Sequence, residues 1–270
     1  MEFFGREQYG RGEAAARKLF EGTVVLTPGV SFANLGQLTI DLLINSLLAH
    51  KDVDMKLVGH LFTKRVLPMA GSSAFATQSP SDLCLNLEVY LLSLPTADHP
   101  EVQKIVFVQQ RTSVIPGQVQ TFCDEFAAWA KSCHASQVVV LSGVDSMLRH
   151  DPNMQMHRIE RTSTSTDAMT NNDFLKQIPS LKCDETTDDV WSSVRGAGLA
   201  PFVMQSCKES LPGLAFVMYC AEGNNVPDAV YMASCVAQYL YLQRIAAFKL
   251  VLPPSWSQLF GRDPTAALYS

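Results

Sequence analysis

Short, unbroken apolar runs separated by helix-length segments are the sequence feature that most constrains the fold. The clearest runs are Thr23–Thr27, Lys104–Gln110, Gln137–Ser142 and Leu214–Ala221. An apolar run of this length is typical of a parallel strand that is buried on both faces. Because strand, helix and strand repeat, the pattern predicts an α/β fold whose mostly parallel sheet is covered by helices on both faces.

Three helices are predicted around this sheet. A helix from Leu35 to Ala49 is apolar around most of its girth, which indicates burial on two sides. A helix beginning near Pro116 is amphipathic, and its apolar stripe contains Val119, Phe122, Phe126, Trp129 and Cys133. A third helix, Val226–Phe248, carries no charge from Ala229 to Gln243. It is either a covered core helix or a helix with one face against a partner.

The first helix also carries one polar stripe, formed by Asn34, Gln37, Asp41 and Asn45 at spacings of three or four residues. Asn34 suits the N-cap of this helix. Outside the helices, Lys56–His60 is a further strand candidate. The alternation over Leu83–Leu94 predicts one half-exposed strand.

The expected division of the chain has three parts. Residues 1–22 form an N-terminal extension with one helix around Glu13–Phe20. Residues 23–261 form a single α/β domain whose core begins at Thr23. A polar surface excursion interrupts this domain at about residues 147–193, as either a regulatory site or a tolerated insertion. Residues 262–270 form a C-terminal tail.

Composition excludes some classes of function. A net charge of −5 argues against nucleic acid as a partner, and no run of about 18 uncharged apolar residues predicts a membrane span. The charged fraction of only 17% leaves apolar surface that a protein partner could cover. The seven cysteines are odd in number and without C-x-x-C spacing, so they predict reduced, mostly buried thiols in an intracellular protein.

No residue pattern predicts catalysis, a metal or a cofactor. The six histidines lack metal-ligand spacing, no G-x-S-x-G elbow occurs, and the glycines near Val30–Asn34 match no phosphate-binding motif. Asp41, Asp145 and Glu222 lie near strand ends or in the first helix, where α/β enzymes keep carboxylates. Nothing pairs them with a base or a nucleophile, so we interpret them as capping or solvated carboxylates.

The chain ends in Leu268-Tyr269-Ser270, which is an apolar residue, a tyrosine and a free carboxyl terminus. Taken alone, these three residues have two interpretations. They are either a frayed terminus or a short peg that inserts into another protein.

Four blocks of sequence resemble the family of proteasome assembly chaperone 2. They are Pro28–Leu43, Val66–Thr77, Glu222–Ala229 and Leu252–Gly261, which contain PGVSFANLGQLTIDLL, VLPMAGSSAFAT, EGNNVPDA and LPPSWSQLFG. Together with the strands between them, they extend the resemblance over about residues 23–142 and 214–270.

The resemblance implies a three-layer α/β/α sandwich with a mostly parallel, mixed sheet, similar to the nucleoside-phosphorylase architecture but without that activity. It implies a heterodimer with proteasome assembly chaperone 1, which binds the α subunits of the nascent 20S proteasome and prevents off-pathway pairing of rings. Leu268, Tyr269 and Ser270 then resemble a hydrophobic–tyrosine–any tail that inserts between α subunits. The resemblance implies a cytoplasmic protein and leaves a nuclear location open.

Two rival functions remain open. The first is a nucleoside phosphorylase or hydrolase on the same architecture, which needs a phosphate or nucleoside site near Val30–Asn34. The second is a regulator that binds a small ligand without transforming it.

Overall fold

The computed structural model describes residues 1–77, 79, 82–94, 104–148, 158–165, 172–182, 189–192 and 194–258. Within these ranges, ten strands and six α-helices are present. None of the helices in the described part of the chain is both long enough and apolar enough to span a membrane.

Eight strands form one sheet, in the order β1-β3-β6-β7-β2-β8-β10-β9. Their bounds are Glu2–Gly5 (β1), Val24–Pro28 (β2), Asp54–Phe62 (β3), Glu88–Ser93 (β6), Lys104–Gln109 (β7), Gln137–Asp145 (β8), Ile159–Ser163 (β9) and Gly213–Cys220 (β10). The strands Ala70–Ser72 (β4) and Leu83–Leu85 (β5) form a separate antiparallel pair.

The sheet is mixed, with a parallel centre. Strands β7, β2, β8 and β10 are mutually parallel, whereas β1, β3, β6 and β9 pair antiparallel with their neighbours. Strand β6 is antiparallel to β7, and β3 is antiparallel to β6. Strand β3 therefore runs in the same direction as the parallel centre. Most of the eight strands therefore share one direction, which confirms the predicted mixed, mostly parallel sheet.

Helices cover both faces of the sheet. Helices α2 (Leu35–Leu48), α4 (Asp173–Gln177) and α6 (Val226–Tyr239) contribute to the core on one face. Helices α1 (Gly12–Phe20), α3 (Val119–Ser132) and α5 (Ala200–Cys207) contribute to the core on the other. Successive residues of a central strand supply both cores, as Val25 and Leu26 do in β2. The three-layer α/β/α arrangement is confirmed.

The core begins before Thr23, where we expected it to start. Strand β1 pairs antiparallel with β3, and Phe3 is buried with its ring edge-on to Phe20, at 5.1 Å between centroids. The expected helix within residues 1–22 is confirmed as α1. The sequence concealed β1 because a four-residue edge strand is too short to show a period of two. The wider division into extension, domain and tail stays a prediction.

The polar excursion at about residues 147–193 contributes to the sheet. Strand β9 pairs antiparallel with β10 and forms the edge of the sheet, and Leu175 of α4 is fully buried. The remaining described residues of this stretch include Ile178 and Leu181, both buried. A role for this stretch in regulation stays a prediction.

Two predicted elements have different bounds from those expected. The single strand over Leu83–Leu94 is wrong, because Leu87 has φ 55°, a left-handed conformation that separates β5 from β6. The last helix ends at Tyr239 and not at Phe248, because Tyr241 has φ 58°. In both cases a residue with a left-handed backbone conformation ends the element. Because neither residue is a glycine, the sequence does not predict this conformation.

Candidate partner-binding surface

The described chain ends in a segment that is fixed to helix α2. The N–H of Val251 donates to Ser46 Oγ, and Asn45 Nδ2 donates to the carbonyl of Val251, both at 2.8 Å. Further on, Ser255 Oγ donates to the carbonyl of Ala74 at 3.0 Å. Trp256 is 8% exposed and belongs to the core on the α2 face. These contacts fix the base from which the C-terminal tail leaves the body.

The predicted site residues Leu268, Tyr269 and Ser270 lie outside the described residues. Twelve residues follow Gln258, the last residue described. At about 3.3–3.6 Å per residue, such a segment spans at most about 40 Å. A segment of this length can therefore reach well beyond the surface to which Trp256 is fixed.

Asn45 lies just beyond the first block of the family resemblance and connects α2 to two other parts of the chain. Its side chain also accepts a hydrogen bond from the N–H of Ala76, at 3.0 Å. Asn45 is fully buried and joins α2 to the Val66–Thr77 segment. Through Val251 it also holds the residue that precedes the Leu252–Gly261 block. The sequence placed Asn45 in a polar stripe but gave no sign of these partners.

Two further residues of the polar stripe, Asp41 and Gln37, also bond within the chain, whereas Asn34 is exposed. Arg111 donates two hydrogen bonds to the Asp41 carboxylate, at 3.0 and 3.1 Å, and Gln109 Nε2 donates a third at 2.7 Å. Gln37 Nε2 donates to the carbonyl of Gln110 at 3.2 Å. The stripe thus fixes α2 to the end of β7. The interpretation of Asp41 as a capping or solvated carboxylate is wrong, because Asp41 is a buried partner of Arg111.

The two other carboxylates lie apart from Asp41. Asp145 caps the turn after β8 by accepting a hydrogen bond from the N–H of Met147, at 2.9 Å. Glu222 is exposed in the turn between β10 and α6. Each therefore fits the expected capping or solvated role.

Helix α2 offers nothing to a second chain, because none of its residues from Leu35 to Leu48 is exposed. The prediction of two-sided burial is confirmed. Helix α6 differs. Its inner side is buried, but Pro227, Tyr231 and Gln238 are exposed, with Tyr231 at 47%. We call this uncharged side the α6 outer face, with half-buried Val230, Ser234 and Cys235 between the exposed residues.

The loop at Val30–Asn34, where the rival enzyme needs a phosphate site, is closed by backbone contacts. The N–H of Phe32 donates to the carbonyl of Gly196 at 2.8 Å, and the N–H of Gly143 donates to Ser31 Oγ at 2.8 Å. A Cβ on Gly198, which has φ 57°, would lie 2.2 Å from the Val30 carbonyl oxygen. The segment around Gly198 therefore packs directly against the backbone of this loop. Asn34 occupies the N-cap position with φ 53° but makes no side-chain capping bond.

The described cysteines are free thiols, as expected. Burial raises the pKa of Cys84, Cys123 and Cys207 to about 12, and that of Cys133 and Cys220 to about 11. These thiols are protonated at neutral pH, so none of the five resembles an activated nucleophile. In the portions of the chain that the structure describes, no group of three His, Cys, Asp or Glu side chains could hold a metal ion.

Comparison with protein families gives a match over most of the chain. The sequence model of the PAC2 family matches residues 25–246. The chain belongs to the PAC2 family. The match includes the central strands, α2 and α6, and it stops before the segment that fixes the tail.

The similarity of this PAC2-family chain to curated relatives covers more of the chain than the family model does. Proteasome assembly chaperone 2 of Homo sapiens is 27% identical over 265 residues, covering 92% of this chain and 95% of the relative. The protein of the same name from Bos taurus is 29% identical over 268 residues, with the same coverage. That of Nematostella vectensis is 30% identical over 234 residues, covering 83% of this chain and 88% of the relative.

Solved structures share the fold at low sequence identity. A Thermoplasma acidophilum protein of unknown function superposes with a TM-score of 0.58 at 14% identity, covering 89% of this chain and 83% of its own. Pyrococcus furiosus PbaA, an archaeal homologue of proteasome-assembly chaperone, gives a TM-score of 0.55 at 13% identity, covering 86% and 81% of the two chains. Pyrococcus furiosus PbaB, an archaeal proteasome activator, gives 0.55 at 13% identity and covers 89% of each chain. The likeness to nucleoside phosphorylases stays a prediction.

Proposed function

We propose that this PAC2-family chain is a proteasome assembly chaperone subunit. It pairs with proteasome assembly chaperone 1, and the pair binds the α-subunit ring of the nascent 20S proteasome. There it favours correct rings and prevents two rings from pairing off-pathway. The near full-length similarity to relatives named proteasome assembly chaperone 2 supports this role. We propose that it acts without catalysis, in the cytoplasm and also in the nucleus.

The structural observation that carries the proposal is the fixed base of the tail. Val251, Ser255 and Trp256 are bound to α2 and to the Val66–Thr77 segment, so the chain leaves the body from a defined point. A tail that starts from a rigid base loses less conformational freedom on binding than one that starts from a mobile segment. We therefore assign Leu268, Tyr269 and Ser270 as the residues that insert between α subunits.

The chemistry of the tail suits a weak, specific contact. Burying a leucine-sized side chain contributes roughly 1.5–3 kcal/mol, and Tyr269 adds an aromatic ring. The terminal carboxylate can form a charge-assisted hydrogen bond with a lysine at the base of a pocket. Ordering the tail opposes these terms, so one tail binds weakly. A second tail on the partner, together with a body contact, would raise the effective concentration and supply avidity.

We assign the contact with proteasome assembly chaperone 1 to the α6 outer face. Between Ala229 and Gln243 the chain has no charge, and the ions that border this face, Arg158 and Asp228, already pair with each other, so covering it leaves neither of them unpaired. Tyr231 at its centre is of the residue type that supplies large contact areas in interfaces. The α2 helix, which is covered within the chain, has no part in this pairing.

The proposal is tested by purifying a tagged full-length chain from its own cells and identifying the proteins that accompany it. We expect proteasome assembly chaperone 1 and a set of α subunits in stable ratios. Recovery of the chain as a monomer, without either, would contradict the role.

A thermal-shift screen with nucleosides and inorganic phosphate tests the two rival functions. Since the segment around Gly198 packs against the backbone of Val30–Asn34, we expect no shift in the unfolding temperature. A concentration-dependent rise in that temperature would instead favour an enzyme or a ligand-binding regulator.

A further inference from the structure

A cleft shares part of its lining with the elements that fix the base of the tail. Its volume is about 840 Å³, and it opens over strand β3 between the turn after β1 and strand β5. Its apolar lining includes Tyr9, Leu57, Leu83 and Leu85. Leu83 is 66% exposed, an unusual state for a leucine in a concave surface. The cleft thus presents apolar area that the rest of the described chain leaves uncovered.

One wall of this cleft touches the elements that fix the tail. The wall includes Leu48, Thr77 and Tyr90. Leu48 ends the helix whose Asn45 and Ser46 hold Val251. Thr77 follows the segment whose Ala74 carbonyl holds Ser255, and the ring of Tyr90 lies edge-on to that of Phe75 at 5.6 Å between centroids. Elements that hold Val251 and Ser255 therefore also contribute to the wall of the cleft.

We propose that the cleft binds the chain's own C-terminal tail, residues 259–270, in the free protein. The elements that fix the base of the tail also line the cleft, and a segment of twelve residues spans up to about 40 Å. Leu268 and Tyr269 supply apolar groups for Leu57, Leu83 and Leu85. The rim carries both signs of charge, in Arg6, Lys56, Glu7 and Asp82, and the tail also carries both, in Arg262, Asp263 and the terminal carboxylate.

A docked tail is unavailable to other proteins until a site with higher affinity competes for it. Because cleft and tail belong to one chain, docking benefits from a high effective concentration even though each contact is weak. If about nine-tenths of the tails are docked, the apparent affinity for any outside receptor is reduced about tenfold. Binding to the α ring would then release the tail from its own cleft.

The direct test uses the full-length chain and does not involve the proteasome. A nitroxide is attached through Ala266→Cys in a chain that also carries Cys183→Ser and Cys235→Ser, and the leucine methyl signals are recorded by NMR. We expect the nitroxide to broaden Leu57 and Leu85 but not Leu199, which belongs to the core on the other face. Leu83→Asp should abolish the broadening, and Phe202→Asp, a control at an exposed apolar side chain on α5, should preserve it. Unbroadened Leu57 and Leu85 signals would overturn the proposal.

A second readout rests on the proposed function. If the cleft withholds the tail, Leu83→Asp should tighten binding to the α ring by up to about tenfold, while Phe202→Asp leaves it unchanged. Weaker or unchanged binding of Leu83→Asp would contradict a withheld tail. Broadening of Leu57 and Leu85 without any binding to the α ring would instead support tail docking and contradict the proposed function.

Discussion

At the scale of single residues, Asn45 connects the fold to the tail. It is fully buried, accepts a hydrogen bond from the Ala76 N–H and donates one to the Val251 carbonyl. Asn45→Ala leaves both backbone groups without these bonds, so we expect the free energy of unfolding to fall by about 1–3 kcal/mol. Urea unfolding measures this change.

Gln238→Ala is the matched control for that substitution, because Gln238 is an exposed amide on α6. It should change the free energy of unfolding by less than about 0.5 kcal/mol. Equal effects of the two substitutions would show that Asn45 does not hold the base of the tail.

His60 makes the stability of the cleft region depend on pH. Its ring stacks on Phe4 at 5.6 Å, and burial lowers its pKa below the ordinary value of 6.5, against an opposing effect of Glu88. The unfolded chain therefore binds this proton more readily, and stability falls as the pH drops below 6.5 towards the folded-state pKa. Between about pH 7.5 and about pH 5.5, wild type should lose more stability than His60→Gln. Equal losses in urea unfolding would contradict this.

At the scale of elements, the α6 outer face gives the sharpest prediction. Tyr231→Asp places a charge on the uncharged face that we assign to proteasome assembly chaperone 1. Because Tyr231 is 47% exposed, folding should persist, but the Kd for the partner should rise at least about tenfold, or about 1.4 kcal/mol. Phe202→Asp on α5 is the control. Partner binding is measured by a light-scattering titration. If both variants bind the partner like wild type, the assignment of α6 to the interface is contradicted.

The sequence predicted those elements whose burial pattern is local. The central strands β2, β7, β8 and β10 have continuous apolar runs, and α3 has a clear apolar stripe, so each was found close to its true bounds. The edge strands β1 and β9 were missed because short edge strands take their structure from a neighbour. The ends of β5 and α6 were missed because Leu87 and Tyr241 adopt positive φ without being glycine.

The candidate site was predictable only in part. The polar stripe on α2 was visible as a spacing, but its meaning depends on distant partners such as Arg111 and Val251. The role of the α6 outer face was also not predictable from the sequence alone. The absence of charge predicts either a covered core helix or a partner contact. Only the packed structure separates the buried α2 from the half-exposed α6.

At the scale of the whole molecule, the proposed function divides the work between the folded body and a short terminal segment. The body holds Val251, Ser255 and Trp256, from which the proposed tail starts, and it carries the α6 outer face that we assign to pairing. In this proposal the tail supplies a small apolar and charged group that binds weakly alone. Two such weak contacts on one dimer would bind strongly when both are made at once.

The measurement that tests this division most directly is a calorimetric titration of the α ring with the chaperone pair. Thr265→Ala, which alters the tail before its last three residues, serves as the control and should bind like wild type. Deleting Leu268–Ser270 should raise the Kd at least about tenfold, or about 1.4 kcal/mol, while the unfolding temperature of the body stays unchanged. An unchanged Kd after this deletion would contradict the assignment of the tail as the group that binds the proteasome.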